Sequence, residues 1–147
     1  MHAPPTREQA VLTRARLLDQ QPEQFDNRIY VDRAFQQLDG DEPTSAAREN
    51  AERIRQLTGL LEQRGARVLL LEVPYMDRIE ETRSVKATRA IIHGAFPEQY
   101  RWLPVAVERS ELRWADGVHL DERSSLIVSQ AIDDALKALP SSTSTAK

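Results

Sequence analysis

The chain has no cysteine among its 147 residues. That absence excludes a disulfide framework, a thiolate nucleophile and a cysteine-ligated metal centre together. It is neutral about compartment, because proteins without disulfides occur in all of them. Long apolar runs are also lacking. The longest is Val68 to Leu71, far short of the roughly 20 residues that cross a bilayer. The opening Met-His-Ala-Pro-Pro-Thr-Arg-Glu carries no apolar core of the secretory type. The expectation is a cytoplasmic protein, or a secreted one if the chain is a piece of a longer precursor. There is no basic excess either: net charge is −3, with acidic and basic residues interspersed. That predicts no nucleic-acid partner. Internal repeats are absent.

What is present suits one folded domain with a solvated surface, at 40% hydrophobic and 29% charged residues. A chain of this length buries about two thirds of its unfolded surface. We expect a single domain over 1–139 and a disordered tail over 140–147, the sequence Pro-Ser-Ser-Thr-Ser-Thr-Ala-Lys.

Thr6 with Gln9 has capping-box spacing, and Val11, Ala15 and Leu18 share a face, so a helix is predicted from about Arg7 to Gln20, ended by Pro22. Arg28 to Leu38 is ambiguous: Ile29-Tyr30-Val31 is strand-like, whereas Ala34 to Leu38 suits a helix. Asp39 to Pro43 reads as a loop. A helix follows over about Ser45 to Arg64, with Ala47, Ala51, Ile54, Leu57 and Leu61 as its apolar stripe and Gly65 as its stop. Arg67 to Val73, with its four-residue apolar run, is the type of strand that parallel sheets cover on both faces. Pro74 closes it. Asp77 to about His93 is predicted as a further helix, Arg101 to Val107 contains a second short strand, and Asp121 to Leu139 is a strongly amphipathic helix capped by Asp121. Helix, strand, helix, strand, helix is the rhythm of a three-layer α/β sandwich with a short parallel sheet. Two or three strands leave that sheet incomplete, so a second copy or a partner chain is expected to cover its edge.

The stretch Trp114 to Leu120, Trp-Ala-Asp-Gly-Val-His-Leu, is the most informative. Asp116 and His119 are three apart in a turn before the last helix, a spacing at which a carboxylate can orient an imidazole. The plainer use of the same residues is structural, with Asp116 capping the turn and His119 packed at the helix mouth. Asp116, His119 and Asp121 also form a conceivable mixed metal site, but His2 and His93 have no ligand spacing to it. No metal and no cofactor is expected. Trp102 and Trp114 read as core or cover residues, and Glu80-Glu81 as charges suited to a helix dipole.

Asp116-Gly117-Val118-His119-Leu120 resembles the last conserved block of the SGNH, or GDSL-type, hydrolases, in which such a turn precedes the final helix. Asn50 through Pro74 resembles the same family's preceding helix and strand, so the likeness covers about 49–139. The resemblance implies a flavodoxin-like α/β fold, with His119 as base and Asp116 as its orienting partner. It implies an ester or acetyl-ester hydrolase, or an acyltransferase, acting on a small-molecule or carbohydrate ester.

The rest of the family pattern is missing. No serine follows Gly-Asp, since Gly40-Asp41 is followed by Glu42, and Asp39-Gly40-Asp41 lacks the asparagine of an oxyanion block. Ser45 suits a helix N-cap, Ser84 a helix interior, Ser110 a polar loop, and Ser124 and Ser125 the start of the last helix. On the hydrolase reading the nucleophilic serine is expected in sequence that this chain does not contain. The alternative is a non-catalytic binding or interaction module on the same scaffold, a pseudoenzyme or a truncated fragment.

Overall fold

The computed structural model describes residues 6–19, 26–40 and 45–140. Most of them are helical: α1 (Arg7–Asp19), α2 (Arg28–Gly40), α3 (Ser45–Gln63), α4 (Asp77–Glu80), α5 (Arg83–Ala95) and α6 (Glu122–Ala138), with 3-10 turns at Gln99–Arg101 and Arg109–Glu111. The expected tail lies outside the described residues beyond Pro140, as do Pro22 and the 41–43 part of the expected loop.

Three expected helix starts and stops form as the local chemistry requires. Thr6 and Gln9 close a reciprocal capping box on α1: the Thr6 N–H donates to Gln9 Oε1 at 2.9 Å and the Gln9 N–H to Thr6 Oγ1 at 3.2 Å. At the end of α3, Gly65 takes φ +86, and the Ala66 N–H reaches back to the Leu61 carbonyl at 3.1 Å. That is how a glycine in the left-handed region satisfies helix-end carbonyls. Asp121 caps α6 by accepting from the Ser124 N–H at 2.8 Å.

The α/β expectation is overturned. No strand and no sheet form among the described residues, and the molecule is mostly helical. Residues 67–73 and 102–107 run extended but share one isolated parallel bridge, Leu70 with Trp102. The Leu70 N–H donates to the Arg101 carbonyl and the Leu103 N–H to the Leu70 carbonyl, both at 2.7 Å. The ladder stops on one side because the next donor, the Arg101 N–H, closes the 3-10 turn on Glu98 instead, at 3.0 Å. With no sheet among the described residues, the expected open edge is reduced to one side of a single extended segment. The third strand candidate, Ile29 to Val31, is helical within α2. The Asn27 carbonyl accepts from both the Tyr30 and Val31 N–H groups at 3.0 Å, and Val31 alone of the three is buried. Asp39 and Gly40, expected in a loop, complete that helix. The helix expected from Asp77 is interrupted after Glu80. The buried Thr82 hydroxyl donates to the Ile79 carbonyl at 2.7 Å, and the chain restarts as α5 at Arg83.

α5 packs on α2 and α3, α4 on α2 and α5, and α1 on α6. Leu112, Trp114 and Val128 form a buried cluster, with Met76, Val107, Leu120, Ile127 and Ile132 packed around it. Trp114 is therefore a core residue, and its indole N–H donates to the Pro74 carbonyl at 2.9 Å. α3 is covered along one margin only. Ala51 and Thr58 are buried, whereas Ile54, Leu57 and Leu61 are 44, 54 and 48% exposed. At about 100° per residue, these three are turned roughly 50 to 110° away from the buried line.

Candidate functional site

The Asp116–His119 turn is built on the packed end of the molecule. An antiparallel bridge joins Trp114 to Leu120, and the Ala115 N–H donates to the His119 carbonyl at 2.8 Å. Between them the chain reverses through Gly117 at φ +92. A side chain there would be strained by its backbone. It would also collide, because a Cβ would lie 2.8 Å from Ile79 Cγ1. The glycine thus lets the turn lie directly on the buried Ile79 of α4, where the Gly117 carbonyl accepts from the Met76 N–H at 2.9 Å. Asn27, just before α2, holds the other side, its Nδ2 donating to the Trp114 carbonyl at 2.6 Å.

Asp116 uses both carboxylate oxygens. Oδ1 accepts from the Val118 N–H at 3.0 Å and the His119 N–H at 2.8 Å, while Oδ2 lies 2.8 Å from His119 Nδ1. Partial burial pushes its carboxyl up, but the hydrogen bonds from the His119 backbone and ring and from Val118 outweigh this and hold it below the usual aspartate range. An ionised carboxylate only accepts hydrogen bonds, so Nδ1 is the donor in this contact, and in the neutral ring Nε2 is then the acceptor. The imidazole is 78% exposed. The sequence-expected pair is therefore brought together in the geometry of an oriented base, and the capping role of Asp116 is realised in the same contacts.

No match to this chain exists among protein-family models, curated proteins or solved structures. The likeness to SGNH hydrolases accordingly rests on the residues alone.

Among the described residues no serine hydrogen-bonds to the His119 ring, whose side-chain partner is Asp116. Ser124 is buried and its Oγ accepts from the Arg113 N–H at 2.8 Å. Ser110 binds Glu108 in the 3-10 turn, 2.9 Å from Oγ to carboxylate. Ser45 opens α3, as a residue at the helix start should. Ser84 differs from its expected place in a helix interior. It is the second residue of α5 and lines a cavity of about 430 Å³ whose walls include Leu71, Val73, Val85, Ile92 and Val118. Val118 belongs to the Asp116–His119 turn, so the cavity and the turn share a wall.

Asp121, the third member of the conceivable metal set, is engaged elsewhere. Burial pushes its carboxyl up, and the opposing bonds from Ser124 and Arg113 prevail and lower it. The Arg113 guanidinium lies 2.6 Å from its Oδ2. Among the described residues no three His, Cys, Asp or Glu side chains cluster to hold a metal ion.

A second imidazole–carboxylate contact was not foreseen from the sequence. His93 Nε2 lies 2.6 Å from Glu72 Oε1, and its ring stacks on Trp102 at 4.2 Å between centroids. Arg89 forks onto Glu80, which also accepts the Tyr75 N–H at 2.8 Å. Glu80 is thus a partly buried anchor for the loop before α4, more than a dipole charge. The one available signal was the spacing of Arg89 and His93, four apart on one face of a helix. Glu72 and Glu80 lie on other segments, so no local pattern announced them.

Proposed function

We propose that Asp116 and His119 form the base half of an acyl-hydrolase-type site, with Asp116 orienting the ring and His119 Nε2 taking the proton from an attacking hydroxyl. The observation that supports this is the three-bond hold on one carboxylate, which leaves an exposed imidazole with its outer nitrogen free. Ester or acetyl-ester substrates, and acyl transfer as the companion reaction, follow from the resemblance of Asp116 to Leu120 to the SGNH block. The serine this reading puts to the test as nucleophile is Ser84, which lines the cavity that also takes in Val118 of the turn. The second reading is an interaction module. It draws support from the apolar cavity and from the uncovered stripe of α3.

The test is turnover of p-nitrophenyl acetate together with labelling by a serine-directed fluorophosphonate, in the unaltered chain, His119→Ala and Ser84→Ala. The hydrolase reading expects turnover lost in His119→Ala and labelling lost in Ser84→Ala. A folded sample with neither turnover nor labelling overturns it and leaves the interaction reading.

A further inference from the structure

The segment from Arg67 to Val73 is extended and bonded at one residue only. Leu70 turns both its N–H and its C=O toward Arg101 and Leu103. Successive peptide groups of an extended chain alternate in direction, so Leu69 and Leu71 turn theirs the opposite way. Neither residue makes a backbone hydrogen bond, and neither do Arg67 and Val73. Both leucines are half-buried, where an unmade backbone bond carries a cost. The segment also has no proline and no lysine between 67 and 73, two of the devices that keep an edge single.

We propose that this edge is a self-association site, on which a second copy of the chain lays its own Arg67-to-Val73 segment antiparallel. The placement of the unpaired groups favours a copy. They sit symmetrically about Leu70, so a twofold axis there sets Leu69 of each copy opposite Leu71 of the other. The N–H and C=O groups then pair in four hydrogen bonds. In this register Arg67 meets Val73 and Val68 meets Glu72, so no like charges oppose each other across the pair. The residues nearest the axis are all leucine. A parallel, in-register alignment would instead stack Arg67 on Arg67 and Glu72 on Glu72. The proposal is independent of the hydrolase reading, since it uses neither Asp116 nor His119.

Sedimentation velocity of the full chain over a hundredfold concentration range tests it, together with amide exchange at Leu69, Leu70 and Leu71 at both ends of that range. Leu71→Pro removes an N–H that is unbonded in the single copy and two hydrogen bonds from the pair. The expected result is a reversible dimer, Leu69 and Leu71 amides that slow as concentration rises, and association about tenfold weaker or more in Leu71→Pro. The exchange data stand without the variant should proline unfold the chain. A monomer across the whole range overturns the proposal. So does a dimer in which the Leu69 and Leu71 amides exchange equally fast at both concentrations, because association would then use another face.

Discussion

The two ends of this molecule are held by different means. Around α6, apolar packing and hydrogen bonds coincide. Leu112, Trp114 and Val128 form the buried cluster, and the turn that crosses it is pinned by Asn27, Met76 and the Asp116 carboxylate. Around α3, the two are separated. Its apolar residues outnumber those it buries, and the extended segment after it leaves backbone groups unbonded. The packed end owes its order to long-range contacts: the Asn27–Trp114 bond joins residues 87 apart in sequence. The open end is held by the packing of one margin of α3 on α5, by the single Leu70–Trp102 bridge and by the ion pair of Glu62 with Arg101. The imidazole held by Asp116 is found on the first end, and the uncovered stripe of α3 on the second.

The largest effect that would sharpen this contrast is at Trp114. Trp114→Ala should cost about 3–5 kcal/mol by emptying the cluster, whereas Leu57→Ala on the open stripe of α3 should change stability by less than about 0.5 kcal/mol. Urea midpoints of the two variants measure both, and equal losses would break the comparison. Next comes Gly117→Ala. The unfavourable φ and the contact with Ile79 should together cost about 2–4 kcal/mol, read in the same urea series. A cost below about 1 kcal/mol would mean that the turn is not seated on α4.

The smallest effect is acid sensitivity. Asp116 and Asp121 are both lowered in the folded state, so their contribution is complete above the unfolded aspartate value of about 3.9. It is lost as pH falls through the lower, folded values. Stability measured between pH 6 and pH 3 should fall on the acid side, and the fall should be shallower in Asp121→Asn, which keeps a good helix cap without the charge. An unchanged slope in that variant would show that the Arg113 contact contributes nothing to acid stability.

What the sequence made legible was whatever depends on neighbours a few residues away. The Thr6–Gln9 box, the Gly65 stop and the Asp121 cap all formed at the predicted residues, and Asp116 met His119 across three positions. What it did not make legible depends on partners far along the chain. Val68 to Leu71 has the composition of a buried strand, but a strand needs a ladder. Arg101 spends the next N–H on its own turn. Ile29 to Val31 is β-branched at two positions yet helical, because Asn27 accepts from the first turn and Val31 alone finds a buried place. The break between α4 and α5 turns on one hydroxyl, that of Thr82, whose burial no local pattern announces. That break puts Ser84 in the first turn of α5, on a cavity wall, rather than in a helix interior.

The placement of the two tryptophans, Trp102 and Trp114, has a consequence for optical work. Trp114 is 7% exposed in the packed cluster, and Trp102 is half-buried, stacked on His93 beside the extended segment. An indole shielded from water emits at shorter wavelength than one that water can reach, so the chain carries two intrinsic lamps of different colour. The blue one belongs to the end that bears the oriented imidazole, and the redder one to the edge where another chain would dock. Single-tryptophan variants would let each end be watched melting by its own light.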